Sequence, residues 1–439
     1  MTRSAIQEVR EVVAERLATT TGPTAARDDQ RALARRLAEE AVVERAQRLL
    51  RAGGGSASPE ENASIIDDVL DILFGLGGLQ RLIEDPSVEN IDVNGCDEVW
   101  VTHCDGTKER AGRAAASDEE LIEIVRAASA RFGLSERRFD SGQPELDLRL
   151  PDGSRLSAVM AVTRRPVVDI RRHRLSDTTL DDLVGLGSLS STAAAFLAAA
   201  VRAKQNILVS GAMNSGKTTM LRALAAEIPP RERIVTIEQA LELGLDHQRD
   251  RHPDCVAMEA RLANTEGAGA IGVAQLVRRS LRMNATRVIV GEVLGDEVVP
   301  MLNAMSQGRS GSMATIHADS SAGAFRRLAS YAVQAPERLP LEATNLLIAG
   351  SVHLVVHLES RDKGTGRGGG RRFVSSVREV VDADGPLVIS NEIWQPGPSG
   401  RAVVASAPSE RTITALARAG FEWTGCDPTA YEPDDRERW

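Results

Sequence analysis

Apolar residues recur at helical spacing in the first fifty positions, separated by faces dense in arginine and glutamate. Ile6, Val9 and Val13 fall on one helical face, and a second run of this kind follows in residues 33–49. This spacing predicts amphipathic helices, and the glycine- and serine-rich stretch after them predicts a flexible linker. We expect a helical N-terminal segment and linker over residues 1–60.

Short apolar runs and tight-turn sequences replace this pattern from about residue 79. The predicted elements are strands at residues 90–94, 99–101, 146–150, 155–159 and 167–171, and a helix at residues 118–131. The sequence Pro-Asp-Gly-Ser between two of these strands is typical of a tight turn. This mixture of strands and helices predicts a small α/β domain over residues 61–176.

Strands and helices alternate in the second half of the chain. The predicted strands are residues 206–210, 233–238, 287–291 and 312–316, and a late hairpin joins residues 352–358 to residues 372–381. Alternation of this kind predicts a parallel sheet whose faces are covered by helices. We expect this larger α/β domain over residues 183–426, with a loose tail over residues 427–439.

Composition narrows the class of protein. The 439 residues are 42% hydrophobic and 26% charged, as in an ordinary soluble protein. No apolar run reaches the roughly 18 residues of a membrane span, and the N-terminus has no signal pattern, so we expect a cytoplasmic chain. A net charge of −9 and 3% aromatic residues argue against a dedicated nucleic-acid binder. Four scattered cysteines argue against a structural zinc site.

Residues 211–218 read G-x-x-x-x-G-K-T, between a β-prone run and a run with helical spacing. A strand then delivers a glycine-rich turn to a helix N-terminus, where unpaired N–H groups and the helix dipole attract phosphate. Lys217 is suited to neutralise the outer phosphates and Thr218 to ligate Mg²⁺. The predicted nucleotide-binding residues are Gly211, Ala212, Met213, Asn214, Ser215, Gly216, Lys217, Thr218 and Thr219.

Three polar residues end the predicted strands that follow. Glu292 ends an apolar strand and suits a general base or a ligand to a metal-bound water, although an acid there also suits a helix cap. Glu238 ends the preceding strand, and parallel strands present their carboxyl ends at the same edge of a sheet. His317 ends the next strand and is a candidate sensor of the γ-phosphate, or else a structural histidine.

Taken together, these motifs resemble the secretion-superfamily ATPases, which drive type II secretion, type IV pilus assembly, type IV secretion and conjugation. The P-loop, an acidic box at Glu238, a Walker B element at Glu292 and a histidine box at His317 follow that family's order. Residues 79–95, 149–155 and 170–172 resemble its N-terminal domain. The resemblance is greatest to the tight-adherence (Tad/Flp) pilus branch, and the cysteine-zinc insert of the type II branch is missing.

The resemblance implies a RecA-like P-loop ATPase domain preceded by a smaller PAS-like α/β domain and the N-terminal helical segment. It implies a homohexamer that uses ATP and Mg²⁺ and docks on a polytopic platform protein, peripheral to the inner face of the cytoplasmic membrane. No direct nucleic-acid contact is expected. The implied function is to couple ATP hydrolysis to pilin polymerisation or protein export.

The resemblance also implies roles for single residues. Glu292 orients or deprotonates the attacking water and holds Mg²⁺ through a water, Glu238 assists, and His317 senses the γ-phosphate. Arg155 and Arg171 of the N-terminal domain act as arginine fingers, with Arg172 in reserve. Solvated strand-end charges are the alternative reading of these arginines.

Three departures from the family pattern leave other functions open. Gln239 replaces the usual aspartate after Glu238, Leu294 replaces an arginine after the Walker B element, and Arg309 replaces a histidine. One alternative is a nucleotide-binding regulatory or assembly subunit with little turnover. Another is a conjugative DNA-transfer ATPase, which the acidic charge balance opposes.

Overall fold

A computed structural model describes residues 2–20, 27–53, 57–132, 138–172, 177–261, 263, 268–307, 310–361 and 371–424. The chain divides into two compact units, Met1–Arg172 and His173–Trp439. The predicted tail at residues 427–439 and the substituted residue Arg309 lie outside the described residues. None of the helices in those residues is long and apolar enough to cross a membrane.

The first unit begins with three helices, α1 (Thr2–Thr20), α2 (Arg27–Arg51) and α3 (Pro59–Phe74). Their apolar faces share a small core, because the helical spacing places alanine, valine and isoleucine on the inner side of each helix. Ser58 begins α3 with a capping box, in which its side chain accepts the Glu61 N–H and the Glu61 side chain accepts the Ser58 N–H. The N-terminal helical segment therefore forms a three-helix bundle with α3.

An antiparallel sheet completes the first unit. Its elements are a short 3₁₀ helix (Gly77–Leu79), α4 (Gln80–Glu84), β1 (Val88–Asn94), β2 (Val99–His103), β3 (Lys108–Arg110), α5 (Asp118–Phe132), β4 (Glu145–Arg149), β5 (Arg155–Val159) and β6 (Val167–Arg171). The strands lie in the order β3-β2-β1-β6-β5-β4. Alternate residues of the longer strands are buried against α5 and its neighbours, so one face of the sheet is apolar and the other is polar.

The second unit alternates strands and helices, as its sequence predicts. Its elements are α6 (Leu180–Gly185), α7 (Ser191–Arg202), β7 (Ile207–Gly211), α8 (Lys217–Ala225), β8 (Ile234–Glu238), a 3₁₀ helix (Leu245–His247), β9 (Cys255–Glu259), α9 (Val273–Ser280), β10 (Arg287–Val293), α10 (Val298–Ser306), β11 (Met313–His317), α11 (Gly323–Gln334), α12 (Leu341–Ser351), β12 (Leu354–Arg361), β13 (Arg371–Asp384), β14 (Leu387–Pro396), β15 (Ala402–Val404) and α13 (Glu410–Arg418).

One sheet runs through this unit in the order β15-β14-β13-β12-β7-β11-β10-β8-β9. The strands from β12 to β9 are mutually parallel, and β13 to β15 extend the sheet in antiparallel fashion. Two apolar clusters cover its opposite faces. Strand β7, which carries the glycine-rich turn, is not next to β10, because β11 lies between them. This order decides which side chains meet at the carboxyl edge.

The amino ends of the parallel strands form the other edge of the sheet. The buried side chain of Asn206, which lies just before β7, holds this edge together. Its oxygen accepts the N–H groups of Gly311 and Ser312 at 2.8 and 2.9 Å. Its nitrogen donates to the carbonyls of Met305 and Ser351 at 3.0 and 2.5 Å. The amide thus uses all four of its hydrogen-bonding positions inside the protein and ties the start of β7 to α10, α12 and β11.

Two further polar contacts strengthen this edge. The buried guanidinium of Arg287 binds both oxygens of Glu232 at 2.9 and 3.0 Å. The Nδ1 atom of His353 accepts the backbone N–H of Asn206 at 2.8 Å. Burial lowers the pKa of the His353 imidazole to about 4, so the ring is neutral and able to accept that bond near pH 7.

Candidate nucleotide-binding site

The glycine-rich turn joins the end of β7 to the start of α8, where the sequence places it. Every residue of β7 is buried, and the helix begins at Lys217. Gly216, immediately before it, has φ +93°, and Asn214 has φ +58°. These left-handed conformations turn the chain into the helix, where the first N–H groups of α8 have no partner within the helix and face the ligand side.

Lys217 begins a line of three polar side chains, in which His317 is the middle one and Glu292 the last. Its Nζ atom donates to the carbonyl of Ala212 at 2.9 Å and to Nδ1 of His317 at 3.1 Å. The other ring nitrogen of His317, Nε2, lies 2.8 Å from Oε1 of Glu292. Because the ammonium donates to Nδ1, the ring proton is on Nε2 and points at the carboxylate. The imidazole therefore links the P-loop lysine to the Walker B acid.

The order of the strands explains why these three residues meet. His317 pairs with Gly211 in the ladder between β11 and β7, and β11 pairs on its other side with β10, which carries Glu292. Lys217 and Glu292 themselves are 3.9 Å apart at their closest charged atoms. The predicted histidine thus lies between the two other predicted site residues. The prediction that the strand ends face a common edge agrees with this geometry.

Glu238 also lies at this edge, but its carboxylate points at the backbone. Its Oε1 atom accepts the N–H groups of Glu242 and Leu243, both at 2.9 Å, and the side chain is almost fully buried. A Cβ atom at Gly291 would come within 2.8 Å of the Glu238 Cγ atom, so this position requires glycine. Glu238 therefore fixes the turn after β8, and its assisting catalytic role stays a prediction.

Glu297 is a site residue that sequence reasoning missed. Its Oε1 atom accepts the N–H groups of Leu294 and Gly295, and its side chain is buried at the start of α10. These bonds fix the turn that follows Glu292, while the Leu294 side chain is half-exposed. An acid at a helix start was the signal available in the sequence, and it applies to Glu297 rather than to Glu292.

A second missed residue comes from the late hairpin. The guanidinium Nη2 atom of Arg372, on β13, donates to the side-chain oxygen of Asn214 in the P-loop at 2.9 Å. The two residues are 158 positions apart in the sequence. No local pattern predicts such a contact, because it depends on β13 lying two strands from β7.

A buried polar network supports the loop that follows His317. The Ser321 hydroxyl contacts the Ser376 hydroxyl at 2.8 Å and the Arg378 Nε atom at 3.0 Å. Ser376 donates to Glu392 Oε1 at 2.6 Å, and Arg378 Nη2 lies 2.9 Å from Glu392 Oε2. We call Ser321, Ser376, Arg378 and Glu392 the hairpin network. It joins the loop after β11 to β13 and β14.

His357 provides a second support under the P-loop strand. Its Nδ1 atom lies 2.9 Å from the hydroxyl of Ser210, the residue before Gly211, and the imidazole also hydrogen-bonds the backbone of Asp319. Burial lowers the pKa of His357, which keeps the ring neutral. The ring therefore bridges the end of β7 and the loop that follows His317.

The predicted arginine fingers lie in the first unit, on the polar face of its sheet. Arg155 and Arg171 are directly opposite each other in the ladder between β5 and β6, and Arg149 is opposite Arg155 on β4. Three arginines thus form one row across adjacent strands. Arg155 also pairs with Asp147 of its own unit at 3.4 Å, and the Nη1 atom of Arg172 donates to the carbonyls of Asp85 and Val88.

The residues at the P-loop suit Mg²⁺ and the phosphates of a nucleotide. Thr218 is the second residue of α8 and offers a hydroxyl, and Glu292 offers a carboxylate that is about one-third exposed. Hydroxyl and carboxylate oxygens are hard ligands of the kind Mg²⁺ prefers. Helix N–H groups and an ammonium are the matching groups for phosphate.

The chain is similar to known proteins over most of its length. Residues 74–389 match the family described as type II/IV secretion system protein. A putative conjugal transfer protein of Mycobacterium tuberculosis is 34% identical over 71% of this chain and 86% of its own length. The type IV secretion system protein PtlH of Bordetella pertussis is 32% identical over 72% of this chain and 96% of its own. The crystal structure of the VirB11 ATPase from the Brucella suis type IV secretion system is 28% identical, covers 70% of this chain and 97% of its own, and has a TM-score of 0.36.

These matches cover most of the chain, and they confirm the superfamily that the motifs predicted. The predicted fold class is confirmed as well: a RecA-like ATPase domain follows a smaller α/β domain and an N-terminal helical segment. The tight-adherence branch stays a prediction, because the relatives above carry other names. With its P-loop, its histidine strand and its Walker B acid in one site, the chain belongs to the type II/IV secretion system protein family.

Proposed function

We propose that the protein hydrolyses ATP with Mg²⁺ and acts as the motor of a pilus-assembly or protein-secretion machine. The observation that carries this proposal is the chain from Lys217 through His317 to Glu292, with contacts of 3.1 and 2.8 Å. A phosphate-binding lysine is joined there to a candidate general base by one neutral imidazole. Family membership supports the proposal, since relatives in the family are named as type IV secretion system proteins.

Each residue has a definite task in this proposal. Lys217 and the first N–H groups of α8 bind the phosphates, while Thr218 would hold Mg²⁺ directly and Glu292 would hold it through a water, and the metal would neutralise charge on the phosphate oxygens. Glu292 orients or deprotonates the attacking water. A γ-phosphate competes with His317 for the Lys217 ammonium. The hydrogen bond from Lys217 to Nδ1 of His317 therefore breaks when the γ-phosphate binds and forms again when it leaves. The histidine then transmits the state of the phosphate to the loop after β11.

We further propose a homohexamer, docked on a polytopic membrane protein at the inner face of the cytoplasmic membrane. Arg155 and Arg171 meet the γ-phosphate as arginine fingers. The row of three arginines supports this, because it gathers positive charge on one face of the sheet, which suits an anionic phosphate. The pilus-assembly assignment rests on the motif resemblance, and the export assignment rests on the family.

Substitution of Lys217 tests the proposal in the full-length protein. Lys217→Ala should abolish nucleotide binding and ATP turnover without unfolding the protein, because the ammonium lies at the ligand side of the helix. The matched control is Lys204→Ala, a lysine of the same unit beside Glu232 at the other edge of the sheet, which should keep both activities. Parental turnover in Lys217→Ala would show that the assignment is wrong.

Two other functions have some support. The half-exposed Leu294, where the family pattern has arginine, favours a nucleotide-binding subunit with little turnover, and a steady-state ATPase assay separates it from a motor. The name of the Mycobacterium tuberculosis relative, a putative conjugal transfer protein, favours DNA transfer. Salt-dependent DNA binding by this protein would support that second function.

A further inference from the structure

Arg372 lies beside two P-loop residues with left-handed backbone conformations, Asn214 and Gly216. Its Nη2 atom donates to the Asn214 side-chain oxygen at 2.9 Å, a hydrogen bond strengthened by the charge of the donor. A Cβ atom built on Gly216 would lie 3.6 Å from the Arg372 Cδ atom and 4.0 Å from its Cβ atom. The aliphatic part of the arginine is therefore beside Gly216, and its head reaches Asn214.

Both contacts are made to residues whose backbone conformation is unfavourable without support from the rest of the protein. Asn214 has φ +58°, a region that costs free energy for residues other than glycine. Gly216 has φ +93° and the large backbone entropy of glycine in the unfolded chain. A hydrogen bond to one residue and packing beside the other both favour the conformation in which the loop meets α8.

The backbone of Arg372 is itself held in place. Its carbonyl accepts the Ser188 hydroxyl at 3.0 Å, and the N–H of Val374 donates to the Ser188 carbonyl at 2.8 Å. Arg372 pairs with Ser360 on β12, the strand next to β7. The arginine is thus delivered by the same sheet that carries the P-loop.

We propose that Arg372 is a positioning residue of the nucleotide site. By binding Asn214 and packing beside Gly216, it holds the loop with its N–H groups directed at the phosphates before nucleotide arrives. Arg372 acts through Asn214 and not on the nucleotide. The inference rests on the proposed function, because it concerns the same nucleotide site.

The test is equilibrium binding of fluorescent ADP and ATP to full-length variants, combined with steady-state kinetics. Arg372→Met keeps the aliphatic stem and removes the guanidinium, and it should raise the Kd of both nucleotides about tenfold, the usual effect of one lost charge-assisted bond. KM for ATP should rise by the same factor while kcat changes little, since the loop is positioned before chemistry. Arg372→Lys should restore part of the affinity.

A double-mutant cycle decides whether Arg372 works through Asn214. Asn214→Ala should raise Kd as much as Arg372→Met does, and the double variant should be no weaker than either single variant. Additive losses would show that Arg372 binds the nucleotide directly, and they would overturn the inference, as would an unchanged Kd in Arg372→Met.

Arg361→Met is the matched control, because Arg361 is an exposed arginine of the same hairpin that donates to the Ser399 carbonyl. It should keep the parental Kd and melting temperature. If Arg361→Met weakens binding as much as Arg372→Met, hairpin stability explains the effect and the inference fails. Lys217→Ala separates the two proposals: parental affinity there overturns the proposed function together with this inference, whereas lost affinity there with an unchanged Arg372→Met overturns the inference alone.

Discussion

His317 performs its linking role only as a neutral imidazole. Its Nδ1 atom receives the Lys217 ammonium at 3.1 Å, so that nitrogen carries no proton, and its Nε2 atom faces the Glu292 carboxylate at 2.8 Å. A protonated ring would place two cations against each other and break the contact to Lys217. The tautomer is thus set by the lysine on one side and the acid on the other.

Replacing the acid of this chain should separate binding from hydrolysis. Glu292→Gln keeps the shape of the side chain but is a far weaker base, so nucleotide binding should persist while turnover falls by a factor of about 10² or more. Binding is measured with fluorescent ATP and turnover by phosphate release. Asp296→Asn, an exposed neighbouring acid, should retain parental turnover. Unimpaired turnover in Glu292→Gln would show that another group acts as the general base.

At the scale of elements, the hairpin network ties the loop after β11 to the far side of the sheet. The Arg378 side chain is 16% exposed and that of Glu392 28% exposed, so their ion pair is largely screened from water. Removing one partner of a partly buried ion pair lowers the stability of the protein, because the other charge stays buried without its partner. A loop held in this way moves together with β13 and β14, and not alone.

Glu392→Gln should therefore affect both stability and turnover. The guanidinium of Arg378 loses its charged partner, so we expect the free energy of unfolding to fall by roughly 1–3 kcal/mol. Turnover should fall severalfold while the Kd of ATP is unchanged, because the network supports the loop after His317 and not the P-loop. Urea unfolding and single-turnover hydrolysis measure the two effects.

The control is Glu359→Gln, which removes the acid of a more exposed pair with Arg361 at 3.7 Å. Pairs of this kind contribute little to stability, about 0–1 kcal/mol, so this variant should resemble the parent in both measurements. Equal losses in the two variants would mean that the hairpin network has no special connection to the loop that follows His317.

The sequence predicted the helices and strands far better than the order in which the strands lie in the sheet. The strands at β7, β8, β10 and β11 follow from short apolar runs bounded by turn residues, and the P-loop follows from its glycines and lysine. The position of β11 between β7 and β10 depends on the packing of the whole sheet, so the contact between Lys217 and His317 was not predictable. The same holds for Arg372, whose partner Asn214 is remote in sequence.

At the scale of the whole molecule, the chain has two compact units, and the arginine row is in the first. Arg155→Ala should lower ATP turnover by a factor of about 10³, because this is the usual effect of removing an arginine finger. The melting temperature should not change. Arg81→Ala, an exposed arginine of the same unit that pairs with Asp68, should have no effect. Full turnover in Arg155→Ala and in Arg171→Ala would confine catalysis to the second unit.

Asn206 has a consequence for recognising distant relatives of this chain. Its side chain accepts two hydrogen bonds and donates two within the core. Aspartate at this position would lose both donors, and leucine would leave four backbone groups unsatisfied. We therefore expect an asparagine five residues before the first P-loop glycine wherever this sheet is kept, even in chains whose glycine-rich loop has diverged beyond recognition.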